Sequence, residues 1–259
     1  MTLRLIPALA LLLASVAWAT VTTLPQTGCP TAALHDNGWD DEMNTCHQTI
    51  DGRFLESPGN GPQTSPTTET DEFNDTSVDG KWSWVNQGSA TITEQDGYAL
   101  LSVPSSAGYS WRIRQQTAPG TPFTIIARIV SGFTPANQAW AGLIFLNNSN
   151  GKFVSFGTFW DSGVQHVTVS RWTDATTFSA IASNTEARNL MAMEYLRVDV
   201  SSTTLTCSVS NDGIGWMPVF IETLSTFLTT SGALDRIGFG GNTSNSAAMT
   251  VNVYWFRRT

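Results

Sequence analysis

The chain has 259 residues, of which 41% are hydrophobic, 10% aromatic and only 13% charged. Soluble domains carry about a quarter charged residues, so this composition excludes coiled coils, helical repeat arrays and charged disordered proteins. The net charge of −8 argues against nucleic acid or an anionic membrane surface as a partner, since both are gripped by cations.

Met1–Ala19 places one early cation, Arg4, before an apolar run from Leu5 to Val16 and the small-x-small triplet Ala17-Trp18-Ala19. These are the parts of a secretory signal peptide. The run is shorter than the roughly 20 residues a membrane span requires, and no later stretch is long enough. The expectation is a secreted, extracellular protein with no membrane span after signal cleavage; the alternatives are an uncleaved anchor or a virion-associated location.

Residues 20–56 form a short acidic segment. Thr20–Gly80 holds 11 acids and one base, whereas Lys81–Thr259 holds 10 acids and 11 bases. Cys29 and Cys46 lie close together here, and in an oxidising compartment they are expected to form a disulfide. His35 and His47 stand nearby, but the spacing of the four residues fits none of the usual zinc-finger patterns. Residues 57–70 (SPGNGPQTSPTTET) read as a linker from their Pro, Gly, Ser and Thr content.

From Asp71 to Thr259 the pattern changes to short alternating runs between turn residues. Strands are expected at Ala90–Glu94, Tyr98–Val103, Phe123–Val130, Gly142–Leu146, Lys152–Trp160, Val164–Trp172, Tyr195–Val200, Leu205–Ser210, Met217–Glu222, Arg236–Phe239 and Met249–Phe256. Turn signals such as Asp96-Gly97, Asn147–Gly151 and Asn211–Gly213 separate them, a spacing that indicates an antiparallel sandwich. Tyr195 to Trp216 reads as a three-strand meander. Only Glu186–Glu194 and Leu224–Leu228 look helical. Cys207 alternates with Leu205 and Val209 and reads as a buried structural thiol.

Asp71-Glu-Phe73, Trp82-Ser-Trp84, Tyr195-Leu-Arg197, Ser210–Trp216, Ile237-Gly-Phe239 and Val253–Arg257 resemble, in that order, the concanavalin A-like lectin/glucanase superfamily. The branch is that of domains appended to bacterial glycosidases and found in phage tail or virion proteins. The resemblance covers 71–259. It implies an all-β jelly-roll sandwich with glycans bound on a concave face or its rim loops. Many relatives carry an aspartate just before the aromatic-Phe-Arg ending, where it helps hold a structural calcium; here that position is Tyr254. No cofactor is therefore expected, although Asp71 has the chemistry to ligate calcium.

Catalytic machinery is not evident. Glucanases of the superfamily use Glu-x-Asp-x-x-Glu on one strand, flanking the bond to be cut. Glu94 and Asp96 share only the spacing, with Asp96 in a turn, and Glu194 and Asp199 are expected on opposite sides of a strand. There is no G-x-S-x-G elbow, and His166 is the only histidine after residue 47. The domain is read as non-enzymatic.

Eight tryptophans lie between Trp82 and Trp255. Trp82, Trp84, Trp216 and Trp255 belong to the motifs above and are assigned to packing. Sugar sites combine aromatic platforms with planar hydrogen-bonding groups, which nominates Arg112, Arg114, Trp160, His166 and Trp172, provided that their strands share the concave sheet. The same tryptophans also suit a core. The expected function is that of an exported, non-catalytic, lectin-like protein for a cell-surface or extracellular glycan. The alternative is a structural or interaction protein of a virion or surface assembly, with a protein partner on the acidic segment. A glycoside hydrolase ranks last.

Overall fold

The computed structural model describes residues 67–95, 97–132, 138–186, 194–229, 233–244 and 247–259. The signal segment, the acidic segment with Cys29 and Cys46, most of the linker, Asp96 and residues 187–193 of the expected helix lie outside the described residues.

Fourteen strands follow in chain order: β1 Ser83–Val85, β2 Thr91–Gln95, β3 Tyr98–Val103, β4 Arg112–Thr117, β5 Phe123–Gly132, β6 Ala139–Leu146, β7 Phe153–Asp161, β8 Val164–Asp174, β9 Thr177–Glu186, β10 Tyr195–Val200, β11 Thr204–Ser210, β12 Met217–Thr223, β13 Arg236–Thr243 and β14 Met249–Arg258. Every run expected to be a strand is one. Of the expected helices, Leu224–Leu228 holds only a 3-10 turn at Leu224–Thr226.

Two seven-stranded sheets face each other. The front sheet runs β1-β4-β13-β6-β7-β8-β9 and the back sheet β12-β11-β10-β5-β14-β3-β2, with antiparallel pairing throughout. This is the antiparallel sandwich expected from the alternating runs, in the jelly-roll form that the family resemblance implies. The meander is β10-β11-β12, and Gly213 takes the positive φ of 73° that its turn demands.

The back sheet has one buried face. In β5, Phe123, Ile125, Ala127 and Ile129 enter the core while the residues between them stay half-exposed. Cys207 is fully buried among Leu205, Val209 and Val198. The front sheet differs: all eight residues of β6 (AWAGLIFL) are buried, as befits a strand covered on both sides. Its inner face meets the back sheet through Leu143, Phe145, Phe156, Val169 and Phe239. Its outer face carries a second apolar layer of Trp111, Ile113, Trp140, Ile144, Phe153, Phe159 and Trp172.

The chain enters the sandwich through a lock built from the terminal motifs. Asp71 and Phe256 exchange backbone hydrogen bonds of 2.7 and 2.8 Å. The Asp71 carboxylate accepts the Phe73 amide at 3.0 Å and the Trp82 indole N–H at 2.6 Å. Trp82 then packs edge-on against Phe239 of the front sheet and Phe256 of the back sheet, at 5.0 and 5.1 Å.

The middle of the front sheet is glycine. Gly142 pairs with Gly157 and Gly240, and a Cβ on Gly157 would fall on the backbone of Ala141–Gly142. Neighbouring strands therefore approach more closely on the outer side than any side chain permits. Gly157→Ala is expected to lower stability by about 1–3 kcal/mol in denaturant unfolding. Gly108→Ala, where a Cβ meets nothing within 4 Å, should stay within about 0.5 kcal/mol of the wild type.

Candidate functional site

In a flat sheet β4 and β8, with three strands between them, would lie about 19 Å from each other. Here the amide of Trp111, just before β4, donates to the carbonyl of Ala175, just past β8, at 2.8 Å. The rings of Trp111 and Trp172 are 5.6 Å apart. A strongly twisted sheet raises two diagonally opposite corners toward each other, and the glycine centre lets this one coil until those corners touch. The outer face of the front sheet is thus concave and partly closed over. Tyr109 caps the closure, packing 5.7 Å from Trp140, 5.4 Å from Trp172 and 5.6 Å from Phe178.

Polar atoms in this layer are incompletely matched. Trp172 Nε1 donates to Ser155 Oγ at 3.0 Å, and Asn242 Oδ1 accepts the Ser110 amide at 2.8 Å. Yet Trp111 Nε1, Trp140 Nε1, Asn242 Nδ2, His166 Nδ1, Ser170 Oγ and Gln115 Oε1 are buried without a partner among the described residues. Register puts all six on the outer face: Asn242 opposite Trp140, Trp140 opposite Phe159 and Phe159 opposite His166 form one row. Ser170 and Gln115 belong to the row of Ser155 and Gly238. Along the first row His166 is half-buried beside Phe159, at 5.8 Å, and marks the open rim of the closure.

The five nominated residues do share one sheet, but its two faces divide them. His166 and Trp172 lie on the outer face. Trp172 is fully buried, with Trp111, Trp140, Phe153 and Phe178 against its ring, so it presents no platform to a sugar. Arg112, Arg114 and Trp160 point the other way. Arg114 stands opposite Phe239 in β13 and over the Trp84 ring, and Trp160 packs on the inter-sheet core. These three cannot join His166 in one constellation. Tyr109 and Asn242 are concave-face residues that alternation alone did not single out; Trp140, one of the four tryptophans not assigned to packing motifs, joins them there. The available signals were the glycine-rich run Gly238–Asn242 and Trp140 set between alanines.

Other chemistry-bearing groups are committed elsewhere. Glu194 binds Arg128 through both Nε and Nη2, at 2.9 and 2.8 Å. Asp199 binds Arg197 and accepts the Thr124 hydroxyl at 2.6 Å. Contrary to the expected opposition, both carboxylates reach the outer side of β5, because Glu194 precedes β10 and escapes its alternation. Both Asp71 oxygens are engaged, and burial raises its carboxyl above the usual range. Tyr254 lies under Arg128, 4.3 Å from ring centre to guanidinium carbon. A depression of about 410 Å³ at the ends of β3, β5 and β14, lined by Ser89, Ser102, Val103, Pro104, Gly132 and Met249 among others, holds no charged or aromatic group.

Ser155 and Ser170 face each other across β7 and β8, yet only Ser155 accepts the Trp172 indole. Ser155→Ala should therefore cost about 1–3 kcal/mol by stranding a buried N–H. Ser170→Ala, which removes a hydroxyl with no partner, should be neutral or slightly stabilising in the same unfolding assay.

Comparison with known proteins agrees with this architecture. Residues 70–248 match the family model described as the beta xylosidase C-terminal concanavalin A-like domain. Among solved structures, a functionally unknown protein from Saccharomyces cerevisiae aligns at 16% identity with a TM-score of 0.50, over 69% of this chain and 96% of that one. The GH43 protein BlXynB from Bacillus licheniformis aligns at 15% identity and a TM-score of 0.57, over 77% of this chain and 40% of that one. A xylan beta-1,4-xylosidase from Bacillus halodurans gives 15% identity and a TM-score of 0.53, over 79% and 41%. This chain thus spans about 40% of the length of those two enzymes. No curated protein matches it. The chain belongs to the family of concanavalin A-like domains found at the C-terminus of beta xylosidases.

Proposed function

We propose that the chain is an exported, non-catalytic carbohydrate-binding protein that recognises a cell-surface or extracellular glycan at the rim of the front sheet's concave face. The observation that carries this is the concave row of polar groups that opens to solvent at the half-buried His166, with its Nδ1 unmatched and Trp140 and Asn242 buried behind it. Indole and amide N–H groups donate and an imidazole nitrogen either donates or accepts, which is what sugar hydroxyls need from a site. Tyr109, half-buried at the same closure, supplies an aromatic edge. Recognition here is by hydrogen bonding more than stacking, because the large rings already pack on one another. Family membership supports the reading, as do the structural ion pairs of Glu194 and Asp199, which leave neither as an acid–base pair for glycoside cleavage.

The reading includes signal cleavage after Ala19, a Cys29–Cys46 disulfide and no cofactor. A second reading, attachment to a protein in a surface or virion assembly, rests on the outer face of the back sheet. There Tyr254, Arg128, Tyr195, Trp255 and Arg257 stack in succession, the residue types that enrich protein interfaces.

Affinity electrophoresis of the full chain through a panel of soluble polysaccharides tests the first reading. At least one glycan should retard it, with or without EDTA, and His166→Ala should weaken retention about five- to tenfold. Arg197→Ala on the other sheet should not. Retention unchanged in a folded His166→Ala protein would overturn the assignment, and release of reducing ends from the glycan would overturn the non-catalytic reading.

A further inference from the structure

Eight arginines lie among the described residues, and six have a carboxylate within 4.0 Å: Arg128, Arg171, Arg197, Arg236, Arg257 and Arg258. Arg112 and Arg114 have none. They occupy the same face of β4, two residues and so about 7 Å apart, and that face looks into the sandwich. Arg114 is only 7% exposed. Among the described residues its Nε has no acceptor, and its one directed contact is with the Trp84 ring, 4.9 Å from the guanidinium carbon. Arg112, half-exposed, gives one N–H to the Asn86 carbonyl at 2.8 Å while its own Nε is unmatched. The turn above it fits closely: Gly88, at φ +54°, lies so near that a Cβ would stand 2.9 Å from the Arg112 guanidinium.

A buried guanidinium cannot shed its proton, unlike a buried lysine or histidine. Burial lowers the proton affinity of both side chains, and no carboxylate opposes it. The usual remedy for a buried cation is a paired anion, and every other described arginine has one. Two guanidiniums side by side, one buried and one reaching the edge, offer planar forks that match the oxygen pair of a carboxylate or sulfate. The aromatic wall of Trp84 closes the far side without competing for the donors.

We propose that Arg112 and Arg114, against Trp84 at the β1–β4 edge, form a binding site for a single oxyanion group, a carboxylate or a sulfate. The half-exposed Arg112 receives it beneath the Asn86–Gly88 turn and the buried Arg114 holds it. This site lies on the opposite face of the front sheet from His166 and does not rest on the glycan reading, so either stands if the other fails.

The test is calorimetric titration of the full chain with sodium sulfate, sodium glucuronate, sodium acetate and glucose at constant ionic strength in chloride. One saturable site per chain is expected for the oxyanions and none at this edge for glucose. Arg114→Gln should weaken it at least tenfold and Arg112→Gln about threefold, with Arg197→Gln on the other sheet unchanged. Glucuronate bound more tightly than acetate assigns the anion to an acidic sugar, whereas equal affinities assign it to a free small oxyanion. Because Arg114→Gln removes a buried group, the Nε–H resonance of Arg114 in the wild-type protein provides a second readout and should move saturably with sulfate. No saturable site on the folded wild type, an unchanged affinity in folded Arg114→Gln, or a stationary Arg114 resonance at saturating sulfate would each overturn the proposal.

Discussion

The coil of the front sheet governs what the molecule can offer a ligand. It is possible because Gly142, Gly157, Gly238 and Gly240 leave the centre of the outer face without side chains, and it is fixed because the Trp111 amide is tied to Ala175. Once the corners meet, the tryptophans of this face have one another as neighbours, and Trp140 stacks on Phe159 at 4.2 Å and 13°. A concave sheet that would otherwise be an open aromatic trough becomes a second small core with a polar rim. Binding chemistry is thereby displaced from ring faces to the N–H groups around them.

The two sheets handle buried polarity differently. Among back-sheet residues only Glu94 and Asn252 leave a buried side-chain polar atom unmatched, and the sheet's outer charges are cross-tied into pairs and stacked on aromatics. The front sheet leaves donors unmatched on both of its faces, the row at the concave rim and the two arginines of β4. Burying unmatched polar groups costs about 1–3 kcal/mol apiece in proteins, a burden stable folds rarely carry without use. The fold itself depends on better-matched ground. The Asp71–Trp82–Phe256 lock satisfies its carboxylate fully while bridging both sheets, and it is built from the same short motifs that made the family recognisable.

Strands were legible because alternation is a local property. Phe123–Val130 announces its buried side every second residue, and Asn211-Asp-Gly213 announces the turn that closes the meander. β1 and β9 were less so: β1 has three residues, and β9 passes three irregularities in its pairing with β8, which breaks the period. The candidate site was only half legible. Alternation fixes that Arg112 and Arg114 share a face, and separately that His166 and Trp172 do. Whether those faces coincide depends on the pairing of β4 with β13, β13 with β6, β6 with β7 and β7 with β8. A one-residue change in any of those registers would exchange the sides. Trp160 shows the point, since its partner in β8 is Gln165 and not His166. Glu194 shows another limit, for parity counted from Asp199 fails once the chain leaves the strand.

An arginine on a sandwich edge normally extends its stem over apolar surface and delivers its head to water or to a carboxylate, as Arg257 does to Glu72 at 2.6 Å. Arg114 does so only at the tip, for its Nε is buried without an acceptor where Trp84 lies over it and Phe239 stands beside it in β13. Its charge is then an energetic liability of the free fold that an added anion would relieve. A site of this kind couples occupancy to stability: ligand that binds only the folded chain raises the free energy of unfolding in proportion to the logarithm of its concentration. The same substitution that removes anion binding should for that reason cost little stability in anion-free buffer, since it also removes the uncompensated charge. A purely structural arginine behaves in the opposite way, stabilising the fold whether or not anion is present. The sign of that difference separates a binding residue from a packing one.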